Sequence, residues 1–338
     1  MAKRKRTIRA YEEQGSFLGA GLKGLAAVSL AAAGSWILYS KLGINHNMIL
    51  PEALPVERRT FQSQSAGKVS YYFSREGTGR PLVLVHSINA AASAYEMRPL
   101  FMHYYGKRPV FALDLPGYGF SERTERVYSP GLFASAIRDF LEQEVGEAAD
   151  VVALSLGSEF SSRAAVERPE LFNSLALISP TGFSAGSGER SSQQAGKSGL
   201  SNAIHPAFSF PLWARPFYDL LTTRTSIEYF LKQSFMGPVP IDLIEYDYAT
   251  AHQPGAEHAP LYFISGKLFT PNARDTLYEQ VKVPTLVLYD RDNFTSFELL
   301  PDLLTTNHSW QAVRLVPTLG LPHFERLEDT AEVLNRFW

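Results

Sequence analysis

VVALSLGSEF, residues 151–160, is the stretch on which the reading of this chain turns. Its first half is a continuous apolar run, as expected of a strand buried on both faces. Its second half reads as the opening of a helix. Ser155 sits at the junction, flanked two residues away on either side by Ala153 and Gly157. A strand that runs straight into a helix forces the turn residue into a strained backbone conformation. It also presses the positions two before and two after against neighbouring chain, so both must be small. The turn lifts the hydroxyl above the strand end and sets it beside the positive end of the following helix.

Outward from this turn, short β-branched and aromatic runs read as strands. They are RRTFQSQ, KVSYYFS (68–74), PLVLVHS (81–87), PVFALDL (109–115), VVALSL (151–156), LALISP (175–180), PTLVLYD (284–290) and QAVRLVP (311–317). The first two form a hairpin. Between the later ones lie helical stretches such as Pro130–Glu144 and Ser158–Arg168. Alternation of this kind predicts a mostly parallel sheet with right-handed crossovers. Residues 181 to about 280 break the rhythm with Gly- and Ser-rich sequence followed by aromatic helices, an insertion placed where a lid over the strand ends would be.

Four further motifs join the serine turn, and together they resemble the α/β-hydrolase family over roughly residues 57–338. His86-Ser87-Ile88-Asn89 follows a strand where the family carries its His-Gly oxyanion turn. Asp114-Leu115-Pro116-Gly117-Tyr118-Gly119-Phe120-Ser121 matches the family's Asp-x-Pro-Gly-x-Gly-x-Ser turn. Val283-Pro284-Thr285-Leu286-Val287-Leu288-Tyr289 matches the strand before the acid, and His323-Phe324 with Leu327-Glu328-Asp329 resembles the His segment. The resemblance implies an eight-stranded, mostly parallel sheet flanked by helices, with a helical lid after the sixth strand and a hydrophobic helix at the N-terminus. The domain so read covers residues 51–338.

The resemblance also implies roles. Ser155 is the nucleophile, which needs an adjacent base to take its proton, and His323 is the expected base. The sequence Gly320-Leu321-Pro322-His323 departs from the family's Gly-His, and an alternative alignment puts Gly320 at the catalytic position. The acid is expected at Asp292, with Asp290 in reserve; strict family spacing falls on Asn293. The backbone N–H groups of Leu156 and Ile88 are the expected oxyanion donors. His86 and Asp114 read as structural, and Asn89 as a fastener of its turn. In the insertion Phe208, Trp213, Phe217 and Tyr229 are candidates for a lipophilic funnel, against the plainer reading of aromatic core.

The first fifty residues read differently. A basic start (Lys3, Arg4, Lys5, Arg6, Arg9) precedes GLAAVSLAAAGSWILYS, residues 24–40, seventeen residues without a charge. That length is at the short end of what crosses a bilayer. The expectation is a single-pass anchor with its N-terminus cytoplasmic; a cleaved signal peptide and a soluble or surface-lying helix are the alternatives. Composition sets the outer limits. With 45 % hydrophobic residues the chain has ample core, and a net charge of -2 offers no footprint for nucleic acid. The absence of cysteine removes disulfides and thiolate chemistry, and eight scattered histidines give no metal motif, so no metal and no cofactor is expected.

The resulting expectation is a membrane-associated serine hydrolase acting on a lipophilic carboxylic ester through an acyl-enzyme. A perhydrolase or a carbon–carbon bond hydrolase would use the same serine, whereas an aspartate nucleophile is disfavoured by Ser155. The alternative from another class is a hydrolase-fold protein that has lost catalysis and binds a lipophilic ligand or a protein partner.

Overall fold

Alternate residues of a strand point to opposite faces of its sheet, and in the central strands both sets are apolar. On β3 (Leu82–Val85), Leu82 and Leu84 are buried with Phe101 and Leu334, from the helices Arg98–Tyr104 and Leu327–Phe337. Val83 and Val85 are buried with Phe133 and Phe160, from the helices Pro130–Phe140 and Gly157–Glu167. The Phe133 and Phe160 rings stack with centroids 4.7 Å apart. Burying one such side chain contributes about 1.5–3 kcal/mol, so the two layers hold the sheet between them. Ser129 starts one of these helices by accepting from Leu132 N–H at 3.2 Å, with Pro130 in the first turn.

The computed structural model describes residues 31–185 and 204–338. One sheet runs in the order β1-β2-β4-β3-β5-β6-β7-β8. β1 (Arg58–Ser63), β2 (Gly67–Ser74) and β4 (Val110–Asp114) pair antiparallel. From β4 through β3, β5 (Ala149–Leu154), β6 (Phe172–Ile178), β7 (Thr285–Tyr289) and β8 (Trp310–Arg314) every pairing is parallel. Parallel strands end on the same edge. The segments after β3, β5, β7 and β8, which carry Ile88, Ser155, Asp292 and Gly320, therefore emerge together, where ligands of such sheets bind.

Between β6 and β7 the described part of the insertion holds the helices Ala214–Leu221, Arg224–Lys232, Ile241–Ala251 and His258–Ile264. Its Gly- and Ser-rich portion lies within residues 186–203, outside the described residues. So does the basic start and the first part of the uncharged run, residues 1–30. The rest of that run lies in a helix over residues 31–43, joined to the insertion by polar bonds. Trp36 Nε1 donates to Pro216 O (2.8 Å), and Ser40 Oγ to Asp219 (2.6 Å). His46 and Arg215 complete the shell around the same carboxylate, at 2.9 Å each. Among the described residues no helix is long and apolar enough to cross a membrane, so the expected span gains no support.

Candidate active site

The turn at the end of β5 has the strain its sequence demands. Ser155 has φ 51°, in the left-handed region that non-glycine residues avoid. Its N–H donates to Ile178 O on the neighbouring strand (2.8 Å), and its carbonyl accepts from Ser158 N–H (3.0 Å) to start the helix. The requirement for a small residue at position 157 is visible in the packing: a Cβ there would lie 2.3 Å from the His86 carbonyl oxygen. Ser155 itself is partly exposed.

Two N–H groups are available beside it. Among the described residues neither Leu156 N–H nor Ile88 N–H donates to a protein acceptor. The turn bearing Ile88 is fastened by a buried carboxylate that sequence reasoning did not single out. Glu96 accepts from Ser87 N–H (2.8 Å), Ser87 Oγ (2.9 Å) and Asn89 Nδ2 (2.7 Å). Ser87 is tolerated in place of the family's glycine because its hydroxyl has this acceptor. Burial pushes the Glu96 carboxyl up, and the donors from Ser87 and Asn89 pull against it. His86 is structural: Nδ1 donates to Ser87 O (2.5 Å), and Nε2 accepts from Leu115 N–H (2.9 Å). Asp114 is structural too, accepting from Ala94 and Phe120 N–H at 3.0 Å.

The expectation for His323 is corrected. Its ring is fully buried, and Nε2 donates to Glu96 O (2.8 Å) while Nδ1 has no partner among the described residues. Neither nitrogen bonds to Ser155 or Asp292. The cause is local: Pro322 opens a short helix, Pro322–Glu325, which turns His323 inward against the turn at 94–97. His323 thus supports the turn bearing Ile88 through Glu96. Burial lowers the pKa of both His86 and His323 to about 4.

Nitrogen-detected NMR on the imidazoles should therefore show both rings neutral at pH 5.5, His86 protonated at Nδ1 and His323 at Nε2. A His323 ring titrating near 6.5 would contradict this placement. The sign for stability follows. Each ring takes up a proton on unfolding below about pH 6.5, so its burial costs stability as pH falls toward 4 and costs nothing above that window.

The two candidate acids differ in what they bind. Asp290 is already committed: Oδ1 accepts from Arg314 Nε (2.7 Å) and Oδ2 from Thr318 N–H (2.9 Å). Burial would raise its carboxyl, but these two donors outweigh it and the pKa falls below the ordinary value. Asp292 differs. Oδ1 accepts from Phe294 N–H (2.7 Å) and Thr295 N–H (3.4 Å), and Oδ2 has no donor among the described residues. Burial pushes this carboxyl up against those two bonds.

The free Oδ2 points at Gly320: a Cβ built there would lie 2.8 Å from it. Glu325 pins the loop, accepting from Leu319 N–H (2.9 Å) and, on its other oxygen, from Met236 N–H (2.7 Å). Asp292 thus faces the position the alternative alignment assigned to the base, and that position holds a glycine. Asn293, where strict spacing fell, is exposed and donates to Gln233 O (2.8 Å).

A family model described as the alpha/beta hydrolase family matches residues 82–333. The chain belongs to the alpha/beta hydrolase family. Among curated relatives, an uncharacterized hydrolase of Bacillus subtilis, YugF, is 32 % identical over 115 residues, 33 % of this chain and 41 % of the relative. The hydrolase thus aligns with about two fifths of that protein's length.

Solved structures show the same fold at low identity. A bacterial membrane phospholipase A has TM-score 0.64 at 19 % identity, covering 94 % of this chain and 96 % of that one. The carboxylesterase CesB of Bacillus subtilis has TM-score 0.62 at 17 % identity, covering 84 % and 93 %.

The hydrolase's insertion touches the site through residues other than those expected. Phe208 and Phe217 stack on each other at 4.7 Å, while Trp213 and Tyr229 are 40 % and 61 % exposed on the outer surface. Trp213 and Tyr229 therefore do not line an enclosed funnel, because their helices turn other residues inward. One of these is Tyr218, whose hydroxyl donates to Ala90 O (2.6 Å) beside the oxyanion turn. Tyr246 stacks on Tyr95 at 4.6 Å. Next to it Asp247 is buried with Oδ1 unpartnered, and burial together with nearby Glu96 pushes its carboxyl well up. A strict helix-face count on residues 241–251 would have marked Tyr246 and Asp247 as inward; aromatic content alone did not.

Proposed function

We propose that this hydrolase cleaves carboxylic esters of a lipophilic substrate by passing the acyl group through Ser155. The observation that carries the reading is the strained Ser155 beside two unpartnered N–H groups, Leu156 and Ile88. An ester carbonyl attacked by Oγ would develop its negative charge between those donors, where fixed dipoles stabilise it. A working location at a lipid surface is supported by exposed apolar side chains on two joined elements. These are Leu38, Tyr39 and Leu42 on the helix over 31–43, and Phe210, Leu212, Trp213 and Leu220 on the insertion. Such residues bury apolar area when a helix lies at the headgroup boundary.

The test is acylation followed by intact-protein mass spectrometry. Incubation with p-nitrophenyl laurate should add one lauroyl group, mapping to the peptide that contains Ser155, faster than p-nitrophenyl acetate adds acetyl and not at all in Ser155→Ala. The same protein should co-sediment with anionic phosphatidylglycerol vesicles. A second reading, a binder of lipophilic ligands that no longer turns over, is favoured by the glycine at position 320. It becomes the conclusion if p-nitrophenyl laurate binds without acylating Ser155, both with and without added nitrogen base.

A further inference from the structure

Asp292 is held as a triad acid is held, by backbone N–H groups on one oxygen, yet its other oxygen faces a glycine. Ser155 is set on its elbow, yet no histidine among the described residues bonds to it. Neither Asp292 nor buried Asp247 is paired with a Lys, Arg or His among the described ion pairs, so the unpartnered carboxyls at this edge of the sheet lack a cation. What both residues lack is a basic nitrogen: among the described residues no Lys, Arg or His bonds to Asp292 Oδ2 or to Ser155.

We propose that the gap left by the missing side chain at position 320 leaves Asp292 Oδ2 open to a basic nitrogen brought by a ligand, an imidazole or a tertiary amine, and that this nitrogen serves as the base for Ser155. The proposal rests on the Ser155 reading above. As Oγ forms its bond to the carbonyl carbon, its proton passes to the nitrogen, and Asp292 holds the resulting cation. Collapse of the tetrahedral intermediate breaks the bond to the leaving oxygen, which takes that proton. Water then repeats the sequence on the acyl-enzyme, its proton taken by the same nitrogen, which stays bound at Asp292 as the separate base or as the released amino alcohol, and the acid is released. The nitrogen is carried either by the ester itself or by a separate small molecule, and the two sources are separable.

The first arm measures hydrolysis of p-nitrophenyl acetate against imidazole concentration, after subtracting the reaction without protein. Saturable acceleration by about 10²-fold is expected from a positioned base, lost in Ser155→Ala and needing more imidazole in Asp292→Asn. The second arm compares 2-(dimethylamino)ethyl butyrate with its carbon isostere, 3-methylbutyl butyrate, without imidazole. Preference for the amine ester assigns the nitrogen to the substrate, and imidazole rescue alone assigns it to a separate base; either supports the proposal.

Gly320→His, checked for folding by its thermal transition, separates the remaining outcomes. If it hydrolyses p-nitrophenyl acetate while neither arm responds in the unmodified protein, the gap takes no base and this proposal falls, with Ser155 still the nucleophile. If a folded Gly320→His is inert and neither arm responds, the Ser155 reading falls with it. Should Gly320→His not fold, the two arms decide on the unmodified protein, and their joint failure overturns the proposal.

Discussion

Gly320→His is expected to raise Ser155-dependent hydrolysis of p-nitrophenyl acetate by about 10³-fold or more. Removing the histidine of a serine triad costs about 10⁶ in kcat, and restoring it in a site that did not evolve around it should return part of that. The local geometry admits a Cβ once Asp292 shifts slightly. Gly320 is outside the left-handed region, so a Cβ brings no backbone strain. Its nearest neighbours would be Asp292 Oδ2 at 2.8 Å, the free end of a side chain, and Ser234 Cβ at an ordinary 3.5 Å. A small rotation of the carboxylate relieves the first contact and leaves it beside the new ring. The rate is measured alongside Gly320→His/Ser155→Ala, which should return to background; a gain that survives loss of Ser155 would place the chemistry elsewhere.

Within that variant, Asp292→Asn should remove most of the gain, since losing the orienting carboxylate costs an evolved triad about 10⁴-fold. An orienting carboxylate fixes the imidazole tautomer and stabilises the imidazolium, and an amide does neither well. Asp290→Asn should act differently, because Asp290 fastens Arg314 and Thr318. Its loss should appear as a lower unfolding midpoint with kcat in the folded protein largely kept. Steady-state kinetics and thermal melts on both variants decide the assignment, and the reverse pattern would make Asp290 the acid.

Most of the fold was legible because the signals are local. The central strands are apolar on both faces, and the Asp114–Ser121 turn demands small residues where its own carboxylate returns: a Cβ on Gly119 would lie 2.0 Å from Asp114 Oδ1. The strained turn at Ser155 was equally readable, since an elbow writes its steric demands into the flanking residues. His323 was not. Its sequence context, Pro322-His323-Phe324-Glu325, fits two registers. Only the three-dimensional structure shows that Pro322 turns the ring inward and that Asp292 faces Gly320. Glu96 and Asp247 escaped notice because a buried carboxylate leaves no pattern until its donors, which come from other segments, are known.

The most direct measurement is the second-order rate at which a fluorophosphonate labels Ser155, followed by intact mass and peptide mapping. A serine with oxyanion donors and no base should react slowly in the unmodified protein. Labelling should be at least about 10²-fold faster in Gly320→His, at the same residue. Rapid labelling of the unmodified protein, unchanged by Gly320→His, would contradict the account, because a base would then already be serving Ser155 from somewhere other than position 320.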